Sequence, residues 1–113
     1  MPLEEYLASG PPFERPIVEA ALAAIDHVGS IHIEPVSVGI FLKRAQTFAE
    51  LRPMTKWETL SFFLDHRVQH ERITRKVNEY NGRFWHIVRL DGPEDVDDRI
   101  VSFLEQAYAR SPE

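Results

Sequence analysis

No cysteine occurs among the 113 residues, which removes disulfides, thiol catalysis, iron–sulfur ligation and cysteine-ligated zinc together. A reducing, cytoplasmic setting is the expectation. The five glycines are scattered, so neither a phosphate-cradling Gly-rich loop nor a dinucleotide fingerprint can be built, and no serine nucleophile elbow is present. Catalytic residues, metal ligands and cofactors are accordingly all expected to be none. No apolar run approaches a membrane span or signal core, and Met1-Pro2-Leu3-Glu4-Glu5 opens with acids, so a soluble, unexported chain with no membrane partner is expected. Repeats and low-complexity tracts are missing too.

What is present is the composition of a folded domain, 43% hydrophobic and 27% charged. The length supports one core of two layers, so a single domain over residues 1–113 is expected, with 1–12 and 111–113 loosely ordered around Ser9-Gly10-Pro11-Pro12 and Ser111-Pro112-Glu113. The net charge of −5 is unevenly distributed. Residues 1–34 carry six acids and one base, residues 35–90 ten bases and five acids, and residues 91–113 seven acids and two bases. A basic middle therefore lies between two acidic ends, and both tryptophans fall within it.

From Phe13 to Val28, apolar Ile17, Ala20, Ala21, Ala24, Ile25 and Val28 recur at three- and four-residue steps. That spacing predicts an amphipathic helix stopped by Gly29, with Pro11, Pro12 and Pro16 near its first turn. Ser30–Glu34 and Val38–Leu42 read as strands separated by Pro35, Ala45–Met54 as a connection or short strand, and Trp57–Leu64 as a strand. Asn81-Gly82 between Ile73–Tyr80 and Arg83–Leu90 predicts a two-residue hairpin, because both turn positions need positive φ. Acids gathered at Asp91–Asp98, followed by Ile100, Phe103, Leu104 and Ala107, predict a second helix ending near Arg110. Links this short cannot carry parallel crossovers. The fold class is therefore α+β, a mainly antiparallel sheet of about five strands with an N-terminal and a C-terminal helix on one face.

The hairpin turn sets a register in which Tyr80 faces Arg83, Asn78 faces Trp85, Lys76 faces Ile87 and Thr74 faces Arg89, all on one side. Ile73, Arg75, Val77, Glu79, Phe84, His86, Val88 and Leu90 take the other, against the helices. The outward side then presents Lys76, Tyr80, Arg83, Trp85 and Arg89, with Arg72 if pairing extends. Lys43, Arg44, Arg52, Lys56 and Trp57 lie at the ends of neighbouring strands.

Cations beside exposed aromatics suit phosphate or carboxylate contacts with stacking on planar groups. The same pattern also occurs on ordinary solvated sheet faces. His66 and His70, four apart, have a spacing that zinc ligands on a helix use, but the stretch lies between strands and reads as a loop with two exposed histidines. His86 reads as a satisfied buried imidazole. Glu94, Asp95, Asp97 and Asp98 lack the pattern of a calcium loop and read as helix caps.

Val38-Gly39-Ile40-Phe41-Leu42-Lys43-Arg44 running into Thr47-Phe48-Ala49-Glu50-Leu51-Arg52-Pro53 resembles the bacterial family of the domain of unknown function 5655. So does Phe84-Trp85-His86-Ile87-Val88-Arg89-Leu90 running into Pro93-Glu94-Asp95-Val96-Asp97-Asp98. The likeness extends from about the first helix to Ala107-Tyr108. It implies an α+β accessory or binding module, since members resembling this chain stand alone or end longer proteins. It supplies no catalytic residues; the familiar pattern falls on Lys43, Arg44, Phe48 and His86.

The leading expectation is a non-catalytic binding module engaging an anionic ligand or nucleic acid through Lys43, Arg44, Lys56, Trp57, Arg72, Lys76, Tyr80, Arg83, Trp85 and Arg89. The alternative is a protein–protein interaction or homodimerisation module using the same surface, because Tyr, Trp and Arg also dominate interfaces. An enzyme using His66, His70 or His86 with a carboxylate is the remotest reading.

Overall fold

The structure, a computed structural model, describes residues 2–111; Met1, Pro112 and Glu113 lie outside the described residues, and with them part of the segment expected to be loosely ordered. Three helices, α1 (Leu3–Ser9), α2 (Glu14–Ile25) and α3 (Asp98–Arg110), pack on one face of an antiparallel sheet. Its strands are β1 (His32–Val36), β2 (Gly39–Lys43), β3 (Thr47–Pro53), β4 (Glu58–Leu64), β5 (Asn78–Tyr80) and β6 (Arg83–Leu90), in the order β1-β2-β3-β4-β6-β5. The α+β architecture follows the sequence pattern. The sixth strand is β3, because the Ala45–Met54 stretch pairs on both sides.

Alternation decides which side chains enter the core. Ile40, Leu42, Leu51, Leu60, Phe62, Leu64, Val88 and Leu90 point inward, against Ile17, Val18, Ala21 and Ile25 of α2 and Ile100, Phe103, Leu104 and Ala107 of α3. Each large side chain among them contributes about 1.5–3 kcal/mol by leaving water. A register shift between Leu42 and Lys43 lets consecutive Phe48 and Ala49 both be buried, and Phe48 meets the Tyr108 ring edge-on at 5.6 Å.

Residues 3–9, read from sequence as loosely ordered, form α1 instead. Tyr6 and Leu7 enter the core, and Arg15 of α2 holds Glu4 at 2.8 Å. Pro35 does not divide two strands but sits within β1, an edge strand, where a missing N–H is tolerated.

The hairpin forms at Asn81 (φ 54°) and Gly82 (φ 80°), and Tyr80 faces Arg83 while Asn78 faces Trp85. Lys76 does not face Ile87, nor Thr74 Arg89. Ile73 bridges Val88, and the Arg89 N–H donates to the Arg72 carbonyl. Ile73 to Asn78 is five steps and Trp85 to Val88 three, so two extra residues bulge from the β5 side. The cause is the anchoring of Arg72, whose guanidinium reaches the Arg89 carbonyl, Asp91 and Asp95.

Candidate functional site

On the face away from the helices, residues line up in rows across the strands. Arg52, Thr59 and Arg89 form one row, and Phe41, Glu50, Ser61 and Ile87 the next. Phe63, Trp85 and Asn78 form a third, and Tyr80 with Arg83 a fourth. Small residues at the centre, Thr59 and Ser61, sink below larger neighbours on either side. The result is a trough of about 240 Å³, floored by these hydroxyls and bounded by Glu50 and Arg52 on one side and by Trp85, Ile87 and Arg75 on the other.

Beside the trough, Trp85 packs on Phe63 with centroids 4.4 Å apart, Tyr80 meets Phe63 edge-on, and the Arg83 guanidinium lies 4.0 Å over the Phe63 ring. Farther along, Arg89 covers Trp57 at 4.0 Å and holds Asp91 in a two-pronged contact. Hydrogen bonds from Arg89, assisted by Arg72, keep the Asp91 carboxyl below the usual range.

The ten residues expected at the site thus divide. Tyr80, Arg83 and Trp85 come together, as do Trp57, Arg72 and Arg89. Lys43 stands apart at 3.4 Å from Glu34, while Lys56 and Lys76 are exposed and make no ion pair among the described residues. Arg44 belongs elsewhere: its guanidinium donates to the Tyr108 and Ser111 carbonyls and lies over the Tyr108 ring, tying β2 to the C-terminal end of α3.

His86 is buried, as expected, and satisfied on both nitrogens. Its Nε2 accepts from the Val68 N–H at 3.1 Å, and Nδ1 donates to the Phe84 carbonyl at 3.0 Å. Burial pulls its pKa down. His66 is exposed beside Asp65, but His70, expected to be exposed, is buried. Its Nδ1 accepts from the Arg72 N–H and its Nε2 donates to Asp97 Oδ2 at 2.9 Å. Asp97 also caps α3 by accepting from the Ile100 N–H. Both imidazoles are fully occupied in holding loops, and Asp95 and Asp97 act as caps.

On the helix side the sequence conceals two buried acids. Glu14 is 1% exposed and Glu58 fully buried, and among the described residues no donor reaches any of their four carboxyl oxygens with hydrogen-bond geometry. Burial, with the neighbouring charge of Glu14, pushes the Glu58 pKa up to about 8. Burial likewise raises Glu14, opposed by the nearby Tyr6 hydroxyl, whose own pKa is pushed up by burial and by Glu14. A signal for Glu58 exists in its parity with Leu60, Phe62 and Leu64. Glu14, in the first turn of a helix, looks like any solvated acid.

Arg52, Arg75, Glu50, Thr59 and Ser61 complete the trough without having been expected in it. Alternation along β3 and β4 places four of them; Arg75 depends on the two extra residues before β5.

The family described as Domain of unknown function (DUF5655) matches the chain over residues 3–111. No curated protein and no solved structure matches it.

Proposed function

We propose that this chain, which belongs to the DUF5655 family, is a non-catalytic binding module whose trough on the outer sheet face takes a small anionic ligand with a planar portion. One observation carries this reading. Arg75 borders the trough beside Trp85 and makes no ion pair among the described residues, while two hydroxyl-bearing side chains form the floor. A guanidinium without an acid is available to a carboxylate or phosphate, and an indole edge offers a planar group a surface.

A nucleic-acid strand is the weaker reading of the same face. Lys43, Arg72 and Arg89 already hold acids, and Arg44 points to α3, so few cations remain to follow a phosphodiester backbone. Glu34, Glu50 and Asp91 add negative charge along that path.

The test is a fluorescence titration of the Trp57→Phe variant, which leaves Trp85 as the reporter, with benzoate, a nucleoside monophosphate and a short single-stranded oligonucleotide. Saturable quenching by either small anion, weakened about tenfold by Arg75→Ala, supports the proposal. A preference for the oligonucleotide that falls steeply with salt would assign the face to nucleic acid. No change with any probe, together with a dimer in light scattering that Trp85→Ala dissociates, would assign it to self-association.

A further inference from the structure

On the opposite side of the sheet, a cavity of about 240 Å³ opens between the α1–α2 elbow, the β1–β2 turn and the end of β3. Tyr6, Ser9, Gly10, Glu14, Ser37 and Pro53 line it, and Glu58 stands opposite Pro53 across the β3–β4 ladder. Gly10 lies directly on the Glu14 carboxyl: a side chain there would overlap Glu14 Oε2, so the roof over the acid is bare backbone.

Buried polar groups in folded proteins are nearly always paired, and here two neighbouring acids have no well-aligned donor on any carboxyl oxygen, with only the Tyr6 hydroxyl near Glu14. The adjacent guanidinium does not serve them. Arg15 turns away to Glu4 and Glu19. A divalent metal would find no third His, Cys, Asp or Glu placed to ligate it among the described residues. What the pair lacks is a positive charge carrying several N–H donors.

We infer that this cavity binds a small organic cation, a primary ammonium or guanidinium head group, held by Glu14 with the Tyr6 hydroxyl as a further acceptor and with the nearby buried Glu58 adding its charge. Binding replaces a proton that burial keeps on the acids with the ligand's charge, so uptake of the cation releases a proton. Of the titratable groups, Tyr6 from α1 and Glu14 from α2 line the cavity, while Glu58 from β4 does not line it but is close enough to interact with both, and no basic side chain of the described residues pairs with either acid.

The experiment is a titration of the full chain, followed by amide chemical shifts, with methylguanidinium and n-butylammonium. Tetramethylammonium, equal in charge but without N–H donors, is the control. Saturable shifts around Tyr6, Gly10 and Glu14 are expected, with affinity rising up to about tenfold per pH unit between about pH 5 and 7 as the released proton is lost to solvent. Glu14→Gln and Glu58→Gln should each weaken binding at least about tenfold, and Tyr6→Phe by less. Tighter binding of N-acetyl-lysine amide or N-acetyl-arginine amide than of the free probes would place the head group on a partner protein, and the reverse on a free metabolite. Shifts no larger than those with tetramethylammonium, or binding unchanged in both Gln variants, overturn the inference.

Discussion

Glu58→Gln is expected to stabilise the protein at neutral pH and leave it unchanged in acid, because the native fold holds this carboxyl in a place that disfavours its charge. Burial and Glu14 lift its pKa from 4.5 to about 8. Below about pH 4.5 the carboxyl is protonated in both native and unfolded chains, and no difference arises. Between there and about pH 8 the unfolded chain has released the proton that the native chain keeps, so stability falls as pH rises, levelling off above the native pKa. At about 1.4 kcal/mol per unit, the native state at pH 7 carries a penalty of about 3 kcal/mol. Glutamine has the shape of the protonated acid and never ionises, so the variant escapes that penalty. For a chain of this size, about 3 kcal/mol corresponds to roughly 12 °C in Tm. Glu14, also raised by burial, is present in both proteins, and losing a like-charged neighbour adds to the variant's advantage at neutral pH rather than opposing it. Thermal melts followed by circular dichroism from about pH 4 to about pH 9 provide the assay. A gap between variant and wild type that stays constant with pH, or a variant less stable at about pH 8, would refute the burial argument.

Asp97→Ala removes the cap of α3 and the acceptor for His70, and should lower stability by about 2 kcal/mol in urea unfolding, beyond the roughly 1 kcal/mol typical of a cap alone. Gly82→Ala puts a side chain into open space at φ 80°, so its cost of about 1 kcal/mol is backbone strain. Asn81→Gly at the neighbouring turn position, where glycine tolerates the positive φ, should show no such loss in the same unfolding assay.

The hairpin was legible because Asn81-Gly82 determines its own geometry, and three cross-strand pairs follow from it without tertiary help. The helices α2 and α3 were legible from the spacing of Ile17, Ala21, Ile25, Ile100, Leu104 and Ala107. Beyond the third pair, register passed to a distant contact: Arg72 fastened to Asp91 and Asp95 overrides the alternation of Thr74 and Lys76. The direction of Arg44 was hidden for a related reason, since it follows the register shift between β2 and β3 and its guanidinium is drawn to carbonyls at the far end of the chain. Residues 3–9 carry two acids and stand beside a proline-rich elbow, which reads as loose chain. The segment folds because Tyr6 and Leu7 have a core to enter. Glu14 was beyond sequence for the opposite reason, as its burial sets an ionisable side chain in surroundings that its residue type does not foretell, and for Glu58 only the parity with Leu60, Phe62 and Leu64 pointed inward.

The two margins of the sheet have a consequence for crowded solutions. One border strand contains Pro35 and the other extends for only three residues, so neither offers a neighbouring molecule a continuous row of free amides to copy. Such a sheet is a poor template for fibril growth even though its centre is rich in Phe, Leu and Ile. Contact between molecules is thereby left to side chains rather than to strand pairing.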